Sequence, residues 1–584
     1  MDGEANTIEI GIEADATGWI ALGISPLSTM PNSDIAIGWV ENGAVYLQDR
    51  YTVGRSAPLY DDEQNLELIE GEEANGRTRI RFKRTKYLCS DDDEHDLSLG
   101  EGTTRLIWAF HATEDPSQEM WDANSISMHT NFGSQSINFE SGVPSHVELP
   151  DDVQYLDITM DEVAVPDSET TYWCALMKIP ASDSTRYVLR SSALLQEGHE
   201  SLVHHITAYA CDPDDDVSDA GWEGVCTDAN MPSKHCRGSS VIFGWAVGGN
   251  DWAFPEDTHL ELEHEFVMVE MHYDNPEMRS DFVDSSGFRM YWTETPQAMA
   301  VGFGGVALHA FADGLGQWIP GGLSFAHNAA FTPSECTEGL PEEGVQVFAT
   351  FLHQHTIGAA LSLRHFRDGV ELEPLDVNMD YDFNYQQYIY HDEPRTILPG
   401  DSLIIDCWVD SSNRSQVTVA GESSRQEMCS AGFMYYPRYG DEGLGVGSMV
   451  WKTEDALMEW ASDAQELGYL TGDVEAINET YFDEFFYLQN FPNLTYDSAA
   501  EGAAEFYERL WSADYAQYNE HYVTCFDGTF LIDEPIFDDF VPYEATSYCE
   551  EDNDNAEDED YDESAAPGSN SAWPLLFALS LFFV

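Results

Sequence analysis

Several histidines of this chain lie in apolar, strand-like stretches at spacings that could hold a metal ion. His204 and His205 are adjacent, so in an ideal strand their imidazoles point to opposite faces. They can share one ion only where the backbone twists or bulges. The alternative for this pair is one core histidine with a hydrogen-bond partner and one exposed histidine. His272 ends a later apolar stretch and adds a third imidazole to this first candidate set.

A second candidate set follows further along the chain. His353 and His355 are spaced i, i+2 at the end of an apolar stretch, which places both imidazoles on one face of a strand. Met428 lies in a later strand pattern and offers a thioether sulfur. Because imidazole together with thioether selects copper over zinc or magnesium, and the reduced ion above all, these residues predict a copper site.

The composition is strongly acidic. The chain has 584 residues, with 108 acidic and 24 basic side chains and a net charge of −84. Such a charge excludes nucleic-acid binding through the body of the protein and disfavours anionic partners. The apolar content of 43% is ample for several cores, and the length predicts a globular chain of two to four domains.

Cysteines and glycosylation sequons indicate an oxidising compartment. There are ten cysteines, none arranged as C-x-x-C, and three N-x-[ST] sequons, at Asn413, Asn478 and Asn493. Together they favour a disulfide-bonded glycoprotein of the secretory pathway. Because the first residues do not resemble a signal peptide and a strand pattern begins near Ile8, we expect that a leader and one or two strands are missing from this sequence.

Short apolar stretches separated by Gly, Pro and Asp predict an all-β protein. Two later stretches, 454–470 and 498–518, instead show the spacing of amphipathic helices. The predicted organisation has seven segments: 1–110, a β-sandwich; 111–150, a linker; 151–300 and 301–440, two strand-rich halves that carry the candidate ligands; 441–549, a partly helical extension; 550–572, an acidic and small-residue spacer; and 573–584, an apolar tail.

The apolar tail, residues 573–584, is too short to span a bilayer comfortably. Small residues followed by a short apolar end resemble a GPI-attachment signal with a compressed polar spacer. The alternatives are a short C-terminal membrane anchor or a tail with neither role. We therefore expect membrane attachment through this tail.

Seven stretches carry a family resemblance: GHESLVHH (198–205), VIFGWAVGG (241–249), VEMHYDNP (269–276), DSSGFRMYWT (284–293), LRHFRDG (363–369), ILPGDSLI (397–404) and QEMCSAGFMYYPR (426–438). They resemble the copper type II, ascorbate-dependent monooxygenases, and within that group the dopamine β-hydroxylase-related branch called monooxygenase X. The resemblance runs in order from near residue 10 to about residue 550. The stretch 18–40 is similar to a DOMON domain, the module that precedes the catalytic core in this family.

This resemblance implies a fold and a chemistry. The fold is an N-terminal DOMON β-sandwich followed by two jelly-roll-like β-sandwich halves. The cofactors are two copper ions per chain, with ascorbate as reductant. His204, His205 and His272 would hold the electron-transfer copper, and His353, His355 and Met428 the oxygen-activating copper. The implied reaction uses O2 to hydroxylate a C–H bond of a small organic substrate, with phenethylamine-like compounds among the candidates.

The resemblance also implies a disulfide framework. Its five pairs are Cys174 with Cys226, Cys211 with Cys236, Cys407 with Cys429, Cys336 with Cys525, and Cys89 with Cys549. One family disulfide has lost both of its cysteines, which leaves no orphan thiol.

Two positions bear on function less directly. Ala359 stands where the relatives carry Arg after the His-x-His pair, which puts inheritance of a catecholamine substrate in doubt. Met30 is a conceivable haem ligand by analogy with haem-binding DOMON domains, although a turn methionine is more often without such a role.

Two alternatives to a hydroxylase of small molecules stay open. A peptidylglycine-type amidating enzyme would use the same copper ligands. A non-catalytic secreted copper- or ligand-binding protein would use them without turnover. The expected partners are a small-molecule substrate, O2, ascorbate, the membrane and a second copy of the chain in a homo-oligomer.

Overall fold

The computed structural model describes residues 6–440 apart from short gaps, and beyond residue 440 only six short strands. The gaps are 89–94, 100–101, 117–125, 140, 142–148, 181–183, 212–216, 218–219, 227–235, 237–240, 263–264, 309–317, 320, 325, 416–417, 420 and 422–423. The chain divides into two compact units, Met1–Phe139 with Glu544–Val584, and Glu140–Tyr543. All six candidate ligands lie in the second unit.

The first unit is built from strands with one face on a core. Its first nine strands are β1 (Thr7–Ala14), β2 (Ile20–Ile24), β3 (Asp34–Glu41), β4 (Ala44–Tyr51), β5 (Leu59–Tyr60), β6 (Glu67–Ala74), β7 (Arg77–Thr85), β8 (Thr103–Phe110) and β9 (Asn131–Asn138). In β1, Ile8, Ile10 and Ile12 are buried and the residues between them are partly exposed. One sheet has the order β5-β4-β3-β2-β8-β9, and the other contains β1-β7-β6, with an apolar core between them.

Buried charged groups lie beside this core. The Arg84 guanidinium donates to the Asp34 carboxylate over 2.9 Å, and both side chains are buried. Asp49 is only 1% exposed, and neither of its carboxyl oxygens has a hydrogen-bond partner among the described residues. Burial, together with the neighbouring Asp34 and Asp96, raises the pKa of Asp49 to about 9. The fold therefore holds the Asp49 carboxyl neutral at pH 7.

The first half of the second unit is a sandwich of two sheets. Its strands are β10 (Gln154–Thr159), β11 (Val163–Ala164), β12 (Thr170–Lys178), β13 (Arg186–Leu194), β14 (Val203–Ala210), β15 (Glu223–Val225), β16 (Val241–Ala246), β17 (Trp252–Ala253), β18 (Thr258–Leu262), β19 (Phe266–Asp274), β20 (Val283–Asp284), β21 (Gly287–Thr293) and β22 (Met299–Ala300). The sheet orders are β10-β21-β13-β18-β22 and β15-β12-β19-β14-β16. Ile206, Val269 and Phe288 belong to the core that these sheets enclose.

The second half repeats this arrangement. Its strands are β23 (Gly302–Leu308), β24 (Trp318–Ile319), β25 (Ala326–Thr332), β26 (Val345–Gln354), β27 (Gly358–Arg367), β28 (Val370–Asn378), β29 (Ile389–Ile397), β30 (Ser402–Val409), β31 (Thr418–Val419), β32 (Cys429–Tyr436) and β33 (Leu444–Gly447). The sheet orders are β29-β26-β32-β23-β33 and β25-β30-β27-β28. Val347, Leu361 and Phe433 lie in the core of this half.

Five further strands complete the described residues: β34 (Leu470–Thr471), β35 (Thr495–Tyr496), β36 (His521–Cys525), β37 (Gly528–Ile532) and β38 (Ala578–Phe583). β38 lies in the tail for which membrane attachment was predicted, and it pairs in parallel with β1. In the part of the chain that the structure describes, no helix is long and apolar enough to cross a membrane. Membrane attachment therefore stays a prediction.

The prediction of an all-β fold is confirmed. The described residues contain one helical turn, a 3-10 helix at Ser334–Cys336. The stretches predicted to be helical, 454–470 and 498–518, lie outside the described residues apart from Leu470, which begins β34.

Three of the five expected disulfides are present: Cys174–Cys226, Cys211–Cys236 and Cys407–Cys429. Cys336 is also disulfide-bonded, and the side chain of Cys525, its predicted partner, lies outside the described residues, as do Cys89 and Cys549. Cys407–Cys429 joins β30 to the start of β32, so it clamps the strand that follows Met428.

Candidate metal centres

The first histidine set lies on two paired strands in the middle of a sheet. His205 of β14 pairs directly with His272 of β19, and the ladder between these strands shifts register between Val203 and His205. This irregularity lies at His204, where the sequence predicts that the backbone must bulge if adjacent histidines are to share a metal. The structure therefore brings all three imidazoles of this set together.

The Nδ1 atoms of the three rings converge. The Nδ1 of His205 is 3.5 Å from that of His204 and 3.2 Å from that of His272. Two nitrogens that each lie about 2.0 Å from one metal ion are separated by about 3–4 Å, so this spacing fits a shared ion. The opposite nitrogens face protein oxygens: Nε2 of His204 lies 3.3 Å from the Phe383 carbonyl, and Nε2 of His272 lies 3.5 Å from Ser424 Oγ. A ligating imidazole usually donates its other N–H to such an oxygen.

Burial keeps these imidazoles neutral. Desolvation, followed by repulsion from the neighbouring His353, lowers the pKa of His204 to about 4. Desolvation also lowers the pKa values of His205 and His272 well below their usual range, with the other histidines adding to the effect. Since a metal ion binds neutral imidazole, all three rings are ready to act as ligands at neutral pH.

Tyr172 is a neighbour of this set that the sequence did not single out. It lies on β12 directly opposite His272 in the ladder, and its ring stacks on the His272 imidazole with centroids 4.4 Å apart. The same ring meets His205 edge to face at 5.5 Å. The sequence around Tyr172 predicts only a strand. Its position beside His272 comes from the pairing of β12 with β19, a long-range contact that no local pattern reveals.

The second histidine set lies at the end of β26. His353 and His355 have ring centroids 5.1 Å apart at an interplanar angle of 86°. Nδ1 of His353 lies 2.6 Å from Gln386 Oε1, and Nδ1 of His355 lies 3.1 Å from the Gln426 carbonyl. Because Nδ1–H donates to these oxygens, Nε2 is the nitrogen of each ring that would bind a metal. This is the reverse of the first set.

Met428 immediately precedes β32, the strand beside β26. The ladder pairs His353 with Ser430 and Gln354 with Cys429, so Met428 follows at the position opposite His355. Its side chain is partly buried. The backbone therefore brings the thioether residue next to the second histidine of the pair, from the neighbouring strand.

Glu427 ties these two segments together and was missed as a functional residue. Its side chain is fully buried, and its Oε1 accepts from the backbone N–H of His355 and, over 2.9 Å, from that of Met428. Burial raises the pKa of the Glu427 carboxyl to about 8. The sequence feature that could have pointed to Glu427 is its position directly before Met428. Nothing in the sequence shows that the Glu427 side chain reaches the backbone of His355.

The turn that follows His355 lies beside a positively charged side chain, Arg414, from the loop after β30. Ala359, the position at which the family resemblance implies an arginine, lies on β27, and its carbonyl accepts from the Tyr381 N–H over 3.0 Å. Arg414 donates from the loop after β30 to Thr356 Oγ1 over 2.9 Å. Its charge is close enough to lower the pKa of the buried Glu427 carboxyl, against the larger effect of burial.

The two histidine sets are neighbours. Phe383 stacks on His204 with centroids 4.3 Å apart and meets His355 edge to face at 6.2 Å. The pKa of His204 is lowered in part by His353 of the other set. One aromatic ring therefore contacts a ligand of each set.

Other groups fall outside these two sets. Cys174, Cys226 and Glu270 lie close together, but the two sulfurs form a disulfide and cannot act as thiolates. Met30 lies in the turn between β2 and β3, where its carbonyl accepts from Thr52, and its haem role stays a prediction. Asn413 is exposed in a turn, whereas Asn478 and Asn493 lie outside the described residues.

The chain is similar to known families and proteins. Family descriptions match residues 1–111 (DOMON domain), 156–280 (copper type II ascorbate-dependent monooxygenase, N-terminal domain) and 305–443 (C-terminal domain). DBH-like monooxygenase protein 1 of Gallus gallus is 35% identical over 439 residues, covering 73% of this chain and 69% of the relative. The Homo sapiens protein of that name is 34% identical, covering 74% and 70%. Dopamine beta-hydroxylase of Rattus norvegicus is 27% identical, covering 75% and 69%. This chain belongs to the copper type II ascorbate-dependent monooxygenase family.

Proposed function

We propose that this chain is a two-copper monooxygenase that hydroxylates a C–H bond of a small organic substrate with O2 and ascorbate. The observation that carries the proposal is the pair of neighbouring imidazole sets with opposite ring orientations. His204, His205 and His272 present Nδ1 atoms to one point, whereas His353 and His355 turn Nδ1 toward protein oxygens, and Met428 follows at the ladder position opposite His355.

The donor chemistry of both sets fits copper. Three neutral imidazoles suit an ion that cycles between two oxidation states, and two imidazoles with a thioether favour the reduced ion. Copper bound there would supply one-electron redox chemistry and O2 activation, with ascorbate as the source of electrons. Glu427 and Gln386 would hold the second set in place, and Phe383 and Ser424 would fix the rings of the first.

The surroundings of the second set favour a substrate with an apolar or aromatic group. Phe351 lies two residues before His353 on the same face of β26, with ring centroids 6.1 Å apart. Tyr388 stacks against Phe351 at 5.1 Å, and both side chains are partly exposed. Such rings can hold the apolar part of a small molecule beside Nε2 of His353. Because Ala359 removes a family charge, a catecholamine is only one member of the class to be tested.

The proposed compartment is the secretory pathway. The disulfides Cys174–Cys226, Cys211–Cys236 and Cys407–Cys429 require an oxidising environment to form and persist. Asn413 is exposed in a turn and is therefore accessible for glycosylation.

The test is an untargeted product screen with the full chain, loaded with copper and supplied with ascorbate and 18O2. We expect two coppers per chain and one 18O atom in the product of a small apolar or phenethylamine-like substrate. Amidation of a glycine-extended peptide would instead identify the amidating enzyme. Full loading without ascorbate-dependent oxygen consumption on any compound would indicate a copper-binding protein and contradict the proposal.

A further inference from the structure

The connection between β28 and β29 lies against both histidine sets. We call residues 379–388 the bridging loop. Its Tyr381 hydroxyl exchanges hydrogen bonds with the backbone of Gln354, the residue between the two histidines of the second set. Its Phe383 ring stacks on His204 of the first set. The loop therefore belongs to the second half of the unit but packs on ligands of both halves.

The backbone of the bridging loop is fastened to the strand that carries the first set. The Gln386 N–H donates to the Val247 carbonyl over 3.1 Å, and the Val247 N–H donates to the His204 carbonyl over 2.8 Å. The His204 side chain reaches back to the same loop, with Nε2 3.3 Å from the Phe383 carbonyl. Backbone hydrogen bonds alone therefore fix the position of Gln386 relative to His204, independently of the Gln386 side chain.

The side chain of Gln386 completes a connection to the second set. Its Oε1 lies 2.6 Å from His353 Nδ1, and its Nε2 donates to the Phe383 carbonyl over 2.6 Å. The Phe383 carbonyl therefore accepts from both His204 and Gln386, which uses its two lone pairs. A continuous hydrogen-bonded path runs from His204 through Phe383 and Gln386 to His353.

We propose that Gln386 is a positioning residue that fixes the His353 ring for metal binding and holds the two copper sites at one separation. This inference rests on the proposed function. An amide suits the task because it offers an acceptor to His353 and a donor to Phe383 on one planar group. Gln386 is only 2% exposed, so water has little access to replace either bond once it is lost.

The first consequence concerns the His353 ring. The Gln386 acceptor selects the tautomer with hydrogen on Nδ1, which leaves Nε2 as the metal ligand. Loss of such a partner typically lowers metal affinity about 10–100-fold. Loss of the acceptor should therefore weaken the second copper site and leave the first site filled.

The second consequence concerns the separation of the sites. Gln386→Glu keeps an acceptor for His353, and above the pKa of the introduced carboxyl it has no hydrogen to donate to the Phe383 carbonyl. This variant should retain copper at both sites but lose the hydrogen bond to Phe383 that connects the two sites. Gln386→Leu removes both bonds, so the two variants separate the two roles.

The neighbouring Gln387 provides a matched control. Its Oε1 accepts from the Asn250 side chain over 3.0 Å at an exposed position. Gln387→Leu removes a glutamine of the same loop without touching either histidine set. It should behave like the wild type in every measurement below.

The experiment measures copper affinity at each site by chelator competition, and the magnetic interaction between the two Cu(II) ions by EPR, on folded full-length proteins. We expect Gln386→Leu to lose about 10–100-fold in affinity at the second site only, and Gln386→Glu to keep that affinity but show an altered Cu–Cu interaction. Unchanged affinity and interaction in both variants overturn the inference while leaving the proposed function intact. A wild-type protein that holds only one copper overturns both the inference and the proposed function. An equal loss of copper affinity at both sites, together with a lowered melting temperature, indicates a purely structural role for Gln386 and also overturns the inference.

Discussion

The two histidine sets use the same side chain in opposite ways. His205 and His272 face each other across the middle of a five-stranded sheet, and their Nδ1 atoms point inward. His353 and His355 stand at the end of one strand, with Nδ1 turned toward Gln386 and Gln426. From this difference we infer that the oxygen facing one ring nitrogen decides which nitrogen would bind the metal.

The same comparison predicts different sensitivities. The first set owes its place to a continuous ladder in which β12, β19, β14 and β16 are neighbours. The second set depends on single side chains from elsewhere, above all Glu427 and Gln386. Substitutions outside the ligands should therefore harm the second site more than the first.

The largest expected effect comes from removing a ligand of the first set. His272→Ala leaves two imidazoles, which should neither hold nor cycle copper well. We expect copper content to fall from two ions to one and turnover to fall by more than about 100-fold, beyond the usual cost of losing an outer-shell partner. Metal analysis and ascorbate-dependent turnover measure the two effects.

The control for this variant is His327→Ala. His327 is a partly exposed histidine that pairs with Asp406 over 2.6 Å, away from both sets. It should keep two coppers and wild-type turnover. Retention of turnover by His272→Ala would remove His272 from the site.

A smaller effect should follow from Glu427→Leu, which tests the dependence of the second set on outside residues. Two buried N–H groups, those of His355 and Met428, lose their acceptor, at a cost of about 1–3 kcal/mol each. We expect the variant to bind copper more weakly at the second site and with unchanged affinity at the first. Thermal unfolding and site-resolved copper titration measure these changes.

The matched variant is Glu427→Gln, which keeps an oxygen acceptor in the same place. Because the pKa of the Glu427 carboxyl is raised to about 8, it is mostly neutral at pH 7, and the amide differs little in charge. Near-normal copper binding is expected. An equal loss of copper binding in Glu427→Leu and Glu427→Gln would show that the hydrogen bonds from the His355 and Met428 N–H groups do not maintain the second site.

Much of this architecture was accessible from the sequence for physical reasons. Alternating apolar residues such as Ile8, Ile10 and Ile12 predict strands with one buried face, and they are buried in β1. The i, i+2 spacing of His353 and His355 predicts a shared face, and the adjacency of His204 and His205 predicts a backbone irregularity, which the structure has.

The contacts that orient the ligands could not be predicted in this way. Tyr172, Gln386 and Glu427 reach their histidines through pairings between residues distant in the chain, and no local pattern encodes them. The choice between Nδ1 and Nε2 likewise depends on these partners. The helical stretches, both ends of the predicted Cys89–Cys549 disulfide, and the side chain of Cys525, the predicted partner of Cys336, lie outside the described residues and stay predictions.

The smallest expected effect on copper binding comes from a substitution in the first unit, which should leave both copper sites unchanged. In the folded protein the pKa of Asp49 is about 9, whereas an unfolded aspartate titrates near 3.8, so between these values the folded state binds the additional proton. Stability therefore falls as pH rises through this range. Asp49→Asn removes this dependence, so its melting temperature should gain on the wild type from pH 5 to pH 8, with Asp62→Asn as an exposed control. A constant difference across pH would contradict the assignment of a neutral Asp49.

The most direct test of the two-site account is copper X-ray absorption on the fully reduced wild-type protein and on Met428→His. An imidazole can still hold copper, but without the thioether the second site no longer favours the reduced ion. We predict a copper–sulfur scattering path in the wild type, its absence in Met428→His, two coppers in both proteins, and loss of most hydroxylation in the variant. A wild-type spectrum with two bound coppers and no sulfur path would contradict Met428 as a ligand and with it the assignment of the second site.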